Sequence, residues 1–199
     1  MFVLGLTGSL GMGKSTTAKF FAEEGIPLHD ADAVVHQLYE GEATPLIEAA
    51  FPGTTNRGKV DRDKLAKKVL GSSPAIKRLE IIIHPLVGRA EARFLEEAAR
   101  KGAAVVVLDI PLLFETGADQ RCDAVVVVSA PPDVQQARVF ERPGMTEEKF
   151  EAILFKQMPD AEKLARADFV VDTSKGFDAA RAQVREILAR VATMPKRIK

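Results

Sequence analysis

Residues 2–15 read Phe2-Val3-Leu4-Gly5-Leu6-Thr7-Gly8-Ser9-Leu10-Gly11-Met12-Gly13-Lys14-Ser15. The first part is an apolar, strand-like run, and Gly8 to Ser15 matches G-x-x-x-x-G-K-[ST] at every specified position. Glycines in such a loop let successive backbone N–H groups turn towards one anion. The helix expected to follow adds its unsatisfied donors and the positive end of its dipole. Lys14 can reach the β- and γ-phosphates of a nucleoside triphosphate, and the Ser15 hydroxyl can ligate Mg²⁺. A plain glycine-rich turn would explain Gly8, Gly11 and Gly13 but not the Lys14-Ser15 pair. The segment therefore reads as a nucleotide-binding loop, with Gly8, Gly11, Met12, Gly13, Lys14, Ser15 and Thr16 as its candidate contacts.

Further strands follow this first one. Ile26 to Asp30 is a weaker candidate, and Ala103 to Ile110 and Asp123 to Ser129 are near-continuous β-branched runs. Such runs fit strands covered on both faces, the habit of parallel sheets. Asp168 to Asp172 makes a fifth. Strand and helix patterns alternate, so the expected class is α/β, a parallel five-stranded sheet flanked by helices. Residues from about 31 to 101 show no strand signal and read as a helical insertion packed on the sheet. In it, Asp61 and Ser73 are expected N-caps, the latter followed by Pro74. Pro85 is expected to break or kink the pattern after His84. A second helical stretch, about 132–165, is interrupted by a turn at Arg142-Pro143-Gly144-Met145-Thr146, with Thr146 as a cap. A last helix spans about 178–192, and the basic tail after Pro195 is expected to be solvated and mobile. The core is then about 1–30, 103–131 and 166–199, all within a single domain.

The chain has 199 residues, 28 Lys plus Arg against 28 Asp plus Glu, and one cysteine. A zero net charge argues against nucleic-acid and membrane-surface partners. A lone Cys122 excludes an internal disulfide framework and a cysteine-cluster metal site, and it is expected to pack as a small hydrophobe. No apolar run is long enough for a membrane span, and the N-terminus lacks signal-peptide features. A cytoplasmic protein is expected.

Asp30-Ala31-Asp32 ends the second strand, where ligand-binding groups of open parallel sheets gather. A carboxylate there can orient an acceptor hydroxyl, or cap the next helix; position alone leaves both open. Asp109 closes the third strand and resembles the acidic strand end that holds Mg²⁺ beside a phosphate loop. Gln135, Arg138 and Arg142 fall in one helical pattern, and the two arginines share a face at i, i+4. That arrangement suits a lid closing on phosphates, or a solvated face.

The series continues with Gly58-Lys59-Val60-Asp61-Arg62, Leu79-Glu80, His84-Pro85, Pro111-Leu112-Leu113-Phe114-Glu115, Gln157 and Ala167-Asp168. Taken in order, these motifs resemble the dephospho-CoA kinase family over nearly the whole chain. The resemblance implies transfer of phosphate from ATP, with Mg²⁺, to the ribose 3′-hydroxyl of dephospho-CoA, the last step of coenzyme A synthesis. It implies a P-loop kinase fold with a helical substrate-binding insertion and a lid. By this similarity Asp32 is the catalytic carboxylate, aided by Lys14, Arg138 and Arg142. His84, Pro85, Pro111, Leu112, Leu113 and Glu115 would serve the acceptor, and Ser15 with Asp109 the metal. Partners would be small molecules, the protein a monomer or small homo-oligomer. Ser9, Leu10 and Met12 stand where Gly, Ile and Ser are common in the family, and Pro143 where Asp or Asn is. Thr173 replaces an Asn that contacts the adenine in the family. The competing enzyme reading is another small-molecule kinase, such as a nucleoside monophosphate kinase. A nucleotide switch is disfavoured, because no Asn-Lys-x-Asp base-reading motif is present.

Overall fold

The computed structural model describes residues 1–197. The chain divides into two compact units, Met1–His29 with the residues from Ala98 onward, and Asp30–Glu97. It opens with β1 (Phe2–Thr7), α1 (Lys14–Glu23) and β2 (Leu28–Asp30). The second unit then supplies α2 (Ala31–Tyr39), α3 (Thr44–Ala50), β3 (Thr55–Asn56), β4 (Lys59–Val60) and α4 (Arg62–Val69). A long helix, α5 (Ser73–Arg100), leads back to β5 (Val105–Asp109) and β6 (Ala124–Ser129). The remainder is α6 (Pro132–Phe140), α7 (Glu147–Leu154), α8 (Asp160–Arg166), β7 (Phe169–Asp172) and α9 (Phe177–Val191).

Five strands form one sheet in the order β2-β5-β1-β6-β7. β1 pairs in parallel with β5 and with β6, and β6 pairs in parallel with β7. The five strands expected from the sequence are these. β1 is fully covered, each of its residues buried, as a central strand with helices on both faces requires. Its apolar side chains join Phe20 and Phe21 of α1 and the stripe Ala180, Val184, Ile187 and Val191 of α9. That stripe recurs at helical spacing and gives α9 one buried face. Each wholly buried Leu or Phe here contributes roughly 1.5–3 kcal/mol. Gly5 is small for a reason of packing. A Cβ there would lie 2.8 Å from both Cys122 Sγ and Leu113 Cδ1. Cys122 is itself wholly buried at the entry to β6.

The unit of residues 30–97 has its own core around Leu38, Ile47, Phe51, Leu65, Ile83 and Leu86. Asp61 caps α4 through Lys64 N–H at 3.1 Å, as expected. Three features of this region depart from the sequence reading. A short antiparallel hairpin joins β3 and β4 where no strand was anticipated. Its turn residues Arg57 and Gly58 both have positive φ, 51° and 78°, the conformation of tight hairpin turns. Strands of two residues carry no periodicity, so only Asn56-Arg57-Gly58 announced them. The cap of α5 is Ser72, whose hydroxyl takes the Ala75 N–H at 3.4 Å; Ser73 is already helical. Pro85 neither ends nor interrupts α5, which runs 28 residues through it. Its missing N–H removes one bond to the turn before, and Ile83 and Leu86 on either side hold that stretch in the core.

In the first unit, α6 stops at Phe140, so Arg142 lies in the turn beyond it and not in one helix with Arg138. Pro143 explains the stop, because the residue before a proline is disfavoured in helical geometry. Thr146 caps α7 as expected, accepting from Lys149 N–H at 3.3 Å. The basic tail is tied down at Arg197, whose Nη2 donates to both Asp168 carboxylate oxygens at 3.0 and 2.9 Å. Ile198 and Lys199 of that tail lie outside the described residues.

Replacement of Gly5 by Val forces a Cβ and two methyl groups into the space of Cys122 and Leu113. The expected loss is about 1–3 kcal/mol of unfolding free energy. Denaturant unfolding of the variant measures it.

Candidate active site

The strand order reverses around β1, with β5 on one side and β6 on the other. Open α/β sheets bind ligands beyond the carboxyl ends of strands at such a reversal. Gly8 to Gly13 leave β1 at that point. Asp109 ends β5, Ser129 ends β6, and Thr173 follows β7.

The loop is shaped by close neighbours as much as by its own glycines. Gly11 and Gly13 take φ of 80° and 95°, which L side chains rarely adopt. A Cβ on Gly11 would lie 2.5 Å from Val139 Cγ2, and one on Gly13 would lie 3.1 Å from Thr173. Both peptide groups of Leu10 are held by glutamines. Its N–H donates to Gln157 Oε1 at 3.2 Å, and its carbonyl accepts from Gln135 Nε2 at 2.6 Å. Met12 is buried beneath the loop, where its sulfur takes the Ala130 N–H at 3.2 Å. The first turn of α1 follows directly, with the Thr16 and Thr17 N–H groups donating to Gly13 O at 3.1 and 3.0 Å. The Thr17 hydroxyl secures that turn by donating to Gly13 O at 3.2 Å.

Lys14 and Asp109 face one another at 2.6 Å, with Asp109 almost wholly buried. Ser15 is exposed beside them in sequence, at the start of α1. A cavity of about 420 Å³ opens beside the loop. Gly11, Gly13 and Thr16 line one part of it, Arg138 and Arg142 another, and Phe20 and Phe177 supply an apolar wall. The two rings meet edge to face at 6.4 Å. An anion cradle, two guanidinium groups and an apolar wall in one cavity suit a phosphorylated ligand with a flat base.

Pro111 to Glu115 follow β5. Pro111 O accepts the Thr7 hydroxyl at 3.0 Å, and Leu112 is exposed. Leu113 is wholly buried against Gly5, so its side chain packs the sheet and has no surface for a ligand. Glu115 takes the Met158 N–H at 2.7 Å and pairs with the fully buried Lys163 of α8 at 3.0 Å. Burial pushes the Glu115 carboxyl up, but the Met158 N–H and the Lys163 ammonium outweigh it, and its pKa lies below the ordinary 4.5. Lys163 carried no signal in the sequence, where it reads as one exposed lysine of a polar helix.

In the unit of residues 30–97, Asp30 is the cap of α2, its carboxylate accepting Ala33 N–H at 2.9 Å. Asp32 sits in the first turn, exposed, and shares a cavity of about 250 Å³ with His36, Tyr39 and Arg62. Arg62 meets His36 Nε2 at 2.8 Å. His84 and Pro85 are exposed on α5.

The family model for dephospho-CoA kinase (CoaE) matches residues 2–178. A dephospho-CoA kinase of Rhodopseudomonas palustris (strain HaA2) is 62% identical over 197 residues, covering 99% of both chains. Among solved structures, TT1252 from Thermus thermophilus superposes with a TM-score of 0.82 at 34% identity, over 95% of this chain and 97% of the other. The dephospho-CoA kinase from Campylobacter jejuni shares the fold, with a TM-score of 0.65 at 24% identity, over 95% and 96%.

The lowered pKa of Glu115 fixes the sign of a pH effect. Its stabilising contribution is full above the unfolded value of 4.5 and is lost as pH falls through the lower folded value. At neutral pH, Glu115→Gln leaves the Lys163 ammonium without its counter-charge and should cost on the order of 3 kcal/mol. Denaturant unfolding of both proteins at falling pH should show that gap closing below 4.5.

Proposed function

The chain belongs to the dephospho-CoA kinase family, and on that premise we propose how its residues carry the reaction. The enzyme is a transferase that moves the γ-phosphoryl group of ATP to the ribose 3′-hydroxyl of dephospho-CoA, giving ADP and coenzyme A. The observation that carries this reading is the 2–178 family match falling on a chain with an intact phosphate loop.

ATP is proposed to lay its phosphates over Gly8 to Ser15, with Thr16 alongside and its base towards Phe20 and Phe177. Lys14 faces the β- and γ-phosphates and neutralises charge that builds on them during transfer. Arg138 and Arg142 do the same from the lid, as permanently charged planar donors. The donors proposed for Mg²⁺ are the Ser15 hydroxyl and the Asp109 carboxylate, hard oxygen ligands that fit this ion. When bound, Mg²⁺ would supply neutralisation of the charge on the phosphates.

For the acceptor, Asp32 is proposed to orient the 3′-hydroxyl and take its proton as the new O–P bond forms and the bond to ADP breaks. The capping bond of Asp30 to Ala33 supports this division, because it gives Asp30 a structural task that Asp32 lacks. His84, Pro85, Pro111 and Leu112 remain candidates for acceptor contacts. The burial of Leu113 and the pairing of Glu115 argue for support of that segment from behind. Both units are read as parts of one kinase domain, probed as a cytoplasmic protein acting on small molecules.

Lys14→Ala should lower turnover by at least about a hundredfold, the scale of losing a preorganised electrostatic donor. Asp32→Asn should lower it by roughly two to four powers of ten, with ATP affinity nearly unchanged. Asp30→Asn should leave far more activity. Mass spectrometry of product from ATP and dephospho-CoA, with AMP and thymidine monophosphate as rival acceptors, tests all three. Preference for a rival acceptor, or greater damage from Asp30→Asn, would overturn the assignment.

A further inference from the structure

We infer that Thr173 is a positioning residue for phosphoryl transfer, binding the Arg138 guanidinium and the phosphate loop into one hydrogen-bonded unit. The inference rests on the reaction assigned above and adds a residue to it.

Thr173 follows β7 and is buried. Its own N–H donates to Ser129 O at 3.0 Å, which anchors it to the end of β6. Its hydroxyl donates to Met12 O at 2.7 Å, inside the phosphate loop. The same hydroxyl accepts from Arg138 Nη1 at 2.8 Å, and the Thr173 carbonyl accepts from Arg138 Nη2 at 2.8 Å. A hydroxyl has one proton, and both acceptors in its reach are backbone carbonyls, Met12 O at 2.7 Å and the more distant Ser129 O at 3.4 Å. The side chain therefore has no donor left for a nucleotide base, and its effect passes through the groups it holds.

Those groups are functional ones. Arg138 lines the same cavity as Gly11 and Gly13. Two arms of its planar fork rest on one residue, so the guanidinium cannot turn about its long stem. Three of its five N–H donors remain for a ligand. The Thr173 side chain also abuts Gly13, where an added Cβ would come within 3.1 Å of its Cγ2. A β-branched side chain is stiff at χ1, which keeps the hydroxyl in its direction. One residue thus sets the loop and the arginine relative to each other, both being groups proposed to meet the transferring phosphate.

The test compares Thr173→Val, Thr173→Ala and Thr173→Ser with Arg138→Met and the double variant Thr173→Val/Arg138→Met. Loss of the hydroxyl should lower kcat by about tenfold to a hundredfold, the scale of misplacing a reacting group, with KM for ATP little changed. Thr173→Ser should restore most of kcat. In the Arg138→Met background, Thr173→Val should cost almost nothing further, since coupled residues are not additive. A second readout is the Arg138 Nε–Hε resonance, expected sharp in wild type and Thr173→Ser but averaged in Thr173→Ala. Additive losses, a Ser variant as slow as Val, or an unchanged Arg138 resonance overturns the inference. The resonance needs no acceptor. A wild type inert towards dephospho-CoA would therefore sink the reaction while the positioning role is still decided.

Discussion

Everything at the carboxyl edge of the sheet depends on the backbone of residues 8–13 holding one conformation. Such a loop cannot hold itself. Its glycines permit the required dihedrals, but by the same freedom they raise the entropy of ordering them. The structure meets this with side chains from elsewhere. Gln135 and Gln157 take the two peptide groups of Leu10, and Thr173 takes the carbonyl of Met12. Val139 and Thr173 close the space over Gly11 and Gly13. The helices after β6 and the loop after β7 therefore shape the backbone of residues 8–13 from outside it. That also explains why the family's usual Gly, Ile and Ser can be replaced at Ser9, Leu10 and Met12. At these three positions the hydrogen bonds engage peptide groups, the Ser9 carbonyl included, apart from the Met12 sulfur, which fills the space under the loop.

Charge in this region follows the same economy of pairing. Asp109 is buried, and a buried carboxylate without hydrogen bonds or counter-charge is costly. Lys14 at 2.6 Å supplies that counter-charge. Glu115 and Lys163 form the second buried pair, and here the Met158 N–H adds a directed bond. Exchange of such a pair for apolar residues is often neutral for stability, so its use lies in fixing an arrangement. The arrangement it fixes is the seam between the Pro111–Glu115 segment and the residues that begin α8.

The sheet was legible in the sequence because its signals are strong and local. Val105 to Leu108 and Val125 to Val128 are runs that only a strand covered on both faces accommodates. The loop was legible because its chemistry demands particular residue types at particular spacings. Features decided by tertiary partners were not. Nothing local distinguishes the buried Lys163 from the exposed lysines of other helices, or shows that Leu113 is covered while Leu112 is not. Thr173 stood out only as a departure from a family pattern. Its hydrogen bonds, to Ser129, Met12 and both arms of Arg138, join segments up to 161 residues apart. Pro85 shows the reverse error, a strong local rule overridden by the core contacts of its neighbours.

The two carboxylates of Asp30-Ala31-Asp32 show how local structure can sort residues that sequence position leaves equivalent. Both are short, acidic and near the end of β2. One of them must supply the oxygen that accepts the first free N–H of α2, because the strand ends where the helix begins. Asp30 has extended backbone geometry, as a capping residue requires, and its Oδ1 takes the Ala33 N–H. Asp32 is then already helical and its side chain projects from the first turn into a cavity with a cation, Arg62, on its rim. The geometry of a strand-to-helix junction thus gives the capping task to Asp30 and leaves the Asp32 carboxylate, two residues on, facing the cavity.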